Sequence, residues 1–329
     1  MRKEQKTVSG SEKRVQRIEK FGIYAVALIL LPVGMLVSRN FLSLSNLLNI
    51  FDAVSFLGIM TAGMALVTYC GKLVDMSTPS TVAVGGFISI LTLRWGIAPM
   101  LICVLLSGAA IGAVNGLIIS RLRLNTVVWT LAMSFLFSGL VRVVFGSSTV
   151  YPSQGDTTFF EGISRYRIGG VVPVSILVML LIYVALHIVV EYTKFGAQMK
   201  LVGYSDSVAR YSGIPVERVV FISFVCSGTL AAVTGLFIAS LSRAACYNFG
   251  SGYDFKAITA IVLSGMLLDG GRGSMIGVLG GVLTIGLMNN IMTLMGLNTF
   301  LQDVVTGAIF ILVIWATNYS SKKLEARYA

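Results

Sequence analysis

The sequence predicts an all-α fold: a polytopic membrane helical bundle of about ten transmembrane helices, with both termini cytoplasmic. Three observations carry that prediction. Hydrophobic residues make up 56% of the 329 positions and charged residues 12%, against about 45–50% and about 25% in soluble domains. Apolar runs near the length of about 20 residues that crosses a bilayer as helix recur along the chain, without the alternation of a membrane-spanning strand. Lysine and arginine are distributed unevenly between the segments that join those runs. The 35 glycines fit the same picture, because small residues let membrane helices approach closely.

Residues 1–20, MRKEQKTVSGSEKRVQRIEK, read as a cytoplasmic basic tail with seven Lys and Arg. The apolar run that follows, FGIYAVALILLPVGMLV, is longer than a signal-peptide core and lacks a small-x-small cleavage site, so it reads as a retained first span. Apolar length and breakers then place spans at 21–38, 51–70, 79–94, 98–120, 125–145, 172–190, 219–242, 256–268, 274–295 and 300–318. Segment 41–50, FLSLSNLLNI, reads as an interfacial helix or as an early start of the second span. The run at 256–268 is short for a crossing and predicts a broken or tilted helix. Residues 21–318 thus form the transmembrane domain, with a periplasmic loop at 146–171, a cytoplasmic loop at 191–218 and a cytoplasmic tail at 319–329.

With the N-terminus inside, 18 of the 25 Lys and Arg fall on the cytoplasmic side, whereas Arg39, Arg94, Arg165, Arg167 and Arg243 fall outside. That is the positive-inside pattern for an even number of crossings. The net charge of +11 is accordingly read as orientation and not as affinity for nucleic acid.

Several chemistries lack their residues. The sequence holds no G-x-x-x-x-G-K-[ST] and no G-x-G-x-x-G, and Gly71-Lys72 is followed by Leu73, which offers no hydroxyl to magnesium. Four scattered cysteines and a single histidine, His187, make neither a metal-ligand set nor a hydrolytic triad. The chain therefore reads as a non-enzyme with no catalytic residue, metal or cofactor of its own. Ion-coupled transport needs titratable groups in the membrane, for which Asp52, Arg142, His187, Glu191 and Asp303 are the candidates. Most of them lie at predicted span ends, where anchoring also explains them.

The cytoplasmic loop contains KLVGYSDSVARYSGIPVERV, a folded-looking polar stretch at 200–219. Ser205 or Asp206 is suited to cap a short helix, SVARYS supplies about two turns, and Gly213 with Pro215 ends it. Such a helix is unstable alone in water. Its apolar face, Val208 and Tyr211 with Ile214 beyond, buries either on the membrane domain or on a partner, and the residues alone leave both open. Asp206 and Arg210, four apart, are placed to pair with each other or with that partner.

At this loop the chain resembles the permease family of ribose-type bacterial ABC sugar importers. The resemblance is carried by TKFGAQMKLVGYSDSVARYSGI at 193–214 and GYDFKAITAIVLSGMLLDGGRGSMIGVLGGVLTIGLMNN at 252–290, and upstream by NFLSLSNLLNI, GMALV and NGLIISRLRLNTVVWTLAM. It extends over about 40–319. It implies a bacterial inner-membrane subunit that associates with a second permease subunit, identical or paralogous, and binds cytoplasmic ABC ATPases that use ATP and magnesium. It also implies that a periplasmic sugar-binding protein delivers the solute. The helix with Ser205, Asp206, Val208, Arg210, Tyr211 and Gly213 is, on this resemblance, the element that couples to the ATPase. One segment departs: the family's Gly-Ile-Asp-Leu-Ser-Val-Gly is replaced by GKLVDMSTPS at 71–80, which keeps Asp75 and Ser77 but adds Lys72 and puts Pro79 near the expected glycine.

For the translocation path the candidates are the polar residues of apolar spans, Asn115, Trp129, Asn289 and Asn290, together with Asp75 and Ser77. Uncharged polar groups and an aromatic face suit a monosaccharide better than an ion; interhelical hydrogen bonding is the competing explanation. An ion-coupled transporter of a small polar solute and a membrane scaffold or receptor without transport are the other two function classes.

Overall fold

In the computed structural model, residues 24, 26–152, 158–170 and 172–328 are described, with side chains as far as Trp315 except for Thr158; the predicted basic tail at 1–20 lies outside them. The helices are α1 (Val26–Val37), α2 (Leu44–Tyr69), α3 (Thr78–Thr92), α4 (Ile97–Leu122), α5 (Thr126–Phe145), α6 (Thr158–Arg165), α7 (Val174–Tyr192), α8 (Lys194–Tyr204), α9 (Asp206–Tyr211), α10 (Val216–Ser242), α11 (Tyr253–Leu263), α12 (Met275–Leu294) and α13 (Thr299–Tyr328). A two-stranded antiparallel ribbon, β1 (Arg167–Ile168) with β2 (Val172–Pro173), interrupts them. Among the described residues six helices, α2, α4, α5, α7, α10 and α12, are long and apolar enough to cross a membrane. The other four predicted spans fall on α1, α3, α11 and α13.

Two helices make the centre. Residues 54–70 of α2 and its C-cap are all buried, as expected of a helix apolar on every side. Its start at Leu44, capped by Ser43 accepting from the Asn46 N–H, makes 41–50 largely the beginning of the second span. Helix α10 packs along α2, α3 and α4. The seam is lined by small residues: a Cβ at Gly108 or Gly112 of α4 would overlap the backbone of Gly228 or Phe224, and one at Gly85 of α3 that of Ala232. Backbones this close gain dispersion contacts that larger residues would forbid.

The segment between α5 and α7 folds onto the end of α10. Ser164 Oγ donates to the Phe237 carbonyl at 2.6 Å, Ser240 Oγ to the Phe160 carbonyl at 2.6 Å, and Arg243 pairs with Glu161 at 2.6 Å. Helix α11 has only 11 residues, matching the short run seen in the sequence, and a glycine-rich turn joins it to α12.

Candidate functional site

Helix α9 forms as its local sequence dictates. Ser205 caps it, accepting from the Val208 N–H at 3.3 Å, and Gly213 stops it at φ +75°, a left-handed conformation that other residues adopt at a cost. The helix buries Ala209 and leaves its apolar residues outward: Tyr211 is 93% and Val208 51% exposed. Ile214 packs against the core instead. Asp206 and Arg210 do not pair with each other. Asp206 meets Lys72 at 2.6 Å, and Arg210 meets Glu217 at 3.3 Å.

Helix α8, unforeseen in the sequence, carries α9. Thr193 caps it and Lys200 pairs with Glu191 at 2.7 Å. Its Gly203 meets Tyr69 and Gly271 so closely that a Cβ would overlap both backbones, and Gly71 and Gly270 close the same contact. The ends of α2 and α8 and the α11–α12 turn therefore share one backbone junction, with the Gly271 N–H donating to the Tyr69 carbonyl at 3.1 Å.

Four of the predicted path residues come together. Asp75 Oδ1 accepts from the Ser77 N–H at 3.0 Å and from Ser77 Oγ at 2.6 Å; Asn115 Nδ2 donates to Ser77 Oγ at 2.8 Å, and Trp129 Nε1 to Asn115 Oδ1 at 3.1 Å. Asp75, Ser77 and Asn115 are buried, and their bonds join the 70–77 connection to α4 and α5. Ser227 of α10 donates to Asp75 Oδ2 at 3.2 Å, and Thr130 Oγ1 accepts from the Met76 N–H at 3.0 Å. Neither had been singled out in the sequence; a serine or threonine in an apolar span was the available signal. Pro79 lies in the first turn of α3, where no N–H is required of it.

Asn289 and Asn290 sit elsewhere, on α12. Asn290 exchanges two hydrogen bonds with Asn46 at 2.8 and 3.0 Å, while the buried Asn289 Oδ1 has no partner among the described residues. Both line a cavity of about 230 Å³ that shares Asn49, Ala53 and Tyr253 with a second cavity of about 610 Å³. The larger one is walled by Asp52 and Phe56 of α2, by Ser164 and Arg165 at the end of α6, and by Arg167 of β1.

The family model described as branched-chain amino acid transport system / permease component matches residues 46–314. The ribose import permease protein RbsC of Escherichia coli (strain K12) is 31% identical over 88% of this chain and 91% of its own length. The chain belongs to the ribose-type ABC permease family. RbsC of Bacillus subtilis (strain 168) is 31% identical over 90% of this chain and 92% of its own length, and the L-arabinose transport system permease protein AraH of Escherichia coli (strain K12) is 29% identical over 92% of each. No solved structure matches.

In this permease the groups considered for ion coupling are mostly engaged. Glu191 is paired with Lys200, Asp303 faces Lys256 at 3.4 Å, and Arg142 lies over the Tyr247 ring at 4.6 Å. His187 makes an edge contact with Tyr192 at 6.0 Å between ring centres. Asp52 has Arg167 at 4.0 Å.

Proposed function

We propose that this permease imports a monosaccharide of the ribose or arabinose class, released to it by a periplasmic sugar-binding protein and driven by a separate cytoplasmic ABC ATPase that holds the ATP and magnesium. It works beside a second permease subunit in the bacterial inner membrane, crossing about ten times with both termini inside. The single observation that carries this reading is α9: a short helix fixed at both ends whose largest apolar side chains face outward. A surface of that kind is completed by a partner protein.

The grouping of loops supports the orientation. Segments predicted as cytoplasmic, at Gly71, Gly203 and Gly270, meet in the backbone junction, while the predicted outer segments meet through Val150 with Ala245 and Glu161 with Arg243.

Movement of the ATPase pair pushes α9 as a unit, since its capped start and Gly213 stop resist local unwinding. The push passes to α7 and α10 through the chain and to the 70–77 connection through Asp206–Lys72. That connection holds Asp75 and Ser77, so the network with Asn115 and Trp129 shifts with it and the path wall at the start of α3 is rearranged. The departure of GKLVDMSTPS from the family pattern thereby acquires a role: Lys72 is the contact through which this segment feels α9.

The experiment is reconstitution. Proteoliposomes containing this chain and its ATPase are expected to accumulate labelled D-ribose or L-arabinose only with ATP and the loaded binding protein, and to do so in the presence of protonophores and sodium ionophores. Uptake without ATP that collapses with the proton or sodium gradient would establish the ion-coupled alternative.

A further inference from the structure

The geometry points to the cavity of about 610 Å³ between α2, α6, β1, α10 and α11 as a binding site for a neutral polyhydroxylated solute, the outward-facing sugar site of the permease. This inference rests on the sugar-importer reading and adds the place and the groups that hold the ligand.

The volume is within the range of about 300–1,000 Å³ typical of small-molecule sites. Its polar groups are of the planar kinds that engage neighbouring hydroxyls in pairs: the Asp52 carboxylate, the Asn49 amide and the guanidinium groups of Arg165 and Arg167. Phe56 and Tyr253 add two aromatic side chains, apolar faces suited to the C–H side of a sugar ring.

Asp52 is only partly used by the protein. Oδ1 accepts from Ser175 Oγ at 3.1 Å, whereas the nearest Arg167 nitrogen stands 4.0 Å from Oδ2, beyond hydrogen-bond length. A single hydroxyl oxygen at about 2.8 Å from each atom spans that gap, donating to the carboxylate and accepting from the guanidinium. Arg165 already donates to the Leu241 carbonyl at 3.1 Å, which leaves Asp52 and Arg167 as the facing acceptor and donor, a pairing that a neutral ligand with both donors and acceptors can bridge.

The site adjoins the smaller cavity at the same level of α2. Ala53, exposed on a helix whose next turns are wholly buried, lines both this cavity and the smaller one. In the smaller cavity the unpartnered Asn289 Oδ1 offers a further acceptor. On the proposed orientation the walls on α6 and β1 belong to the outer loop and those on α2 and α11 to the membrane domain, so a solute released outside meets this cavity first.

The test uses the full assembly in proteoliposomes, with radiolabelled D-ribose and L-arabinose and each variant's copurification with the ATPase scored separately. Ala53→Trp fills the space where the two cavities adjoin and is expected to cut uptake at least ten-fold; Asp52→Leu is expected to do the same, and Asp52→Asn, which keeps an acceptor, to recover part of it. Uptake by Ala53→Trp within two-fold of wild type overturns the site. If Ala53→Trp fails to copurify, Asn49→Leu, at an exposed position, is read in the same way. Loss of the permease pair from Ala53→Trp, seen by size, would place a second copy in the cavity and overturn a ligand there. Failure of the sugar reading shows earlier and differently: the wild-type assembly would accumulate neither sugar.

Discussion

Single side chains make the contacts on which the coupling account turns. Lys72 Nζ and Asp206 Oδ2 are 2.6 Å apart, but both groups are partly exposed, so the pair contributes about 0–1 kcal/mol to stability. Its importance lies in where it connects. Lys72→Asp is therefore expected to leave the protein folded while lowering ATP-driven uptake about ten-fold, and the exchange Lys72→Asp with Asp206→Lys to restore most of it; uptake assays on the three variants check this. Gly203 acts oppositely, through packing. Gly203→Ala forces a Cβ into the backbone of Tyr69 and Gly271, and overpacking of this kind costs about 1–3 kcal/mol, which thermal unfolding in detergent would show. Neither effect was legible beforehand. Lys72 and Asp206 are 134 positions apart, and nothing local to Gly203 shows the close junction that it permits with Tyr69 and Gly271.

Elements were read well where their causes are local. The cap at Ser205 and the stop at Gly213 are properties of a few adjacent residues, so α9 lies within a residue or two of its expected bounds. Helix α8 was missed because KFGAQMKLVGY carries two glycines and little apolar periodicity, and what it buries, Gly196, Met199 and Val202, is set by packing that includes Tyr69 and Gly271 far along the chain. The same distinction separates the path residues. Polarity inside apolar spans marked Asn115 and Trp129, but their mutual bond, and the division of Asn289 and Asn290 into another region, depend on helix packing. Trp129→Phe removes the indole donor from Asn115 and is expected to cost about 1 kcal/mol without unfolding the bundle, again by thermal unfolding. For α9, Gly213→Pro removes both the left-handed φ and an N–H that donates to the Arg210 carbonyl at 3.0 Å. Its expected outcome is normal membrane insertion with uptake abolished, measured by membrane fractionation and transport.

At the scale of the molecule, composition and charge placement predicted the helical membrane bundle because bilayer solvation acts on average properties of whole segments. Which segments meet was beyond that reading, since small-residue seams such as that of α10 with α4 involve residues far apart in the chain. The proposed orientation predicts that cysteines placed in 146–152 react with impermeant reagents from the periplasm and those in 205–213 only from the cytosol. Reversed labelling of either segment would contradict it.

The central claim is that α9 bears on the ATPase. Tyr211, almost fully exposed at the end of that helix, is the place to measure it. With Tyr211→Cys in the assembled transporter, a short thiol cross-linker added during turnover is expected to join the permease to the ATPase and to stop ATP-driven uptake. Efficient reaction of that cysteine without any cross-link to the ATPase, in an assembly that still transports sugar, would contradict the account.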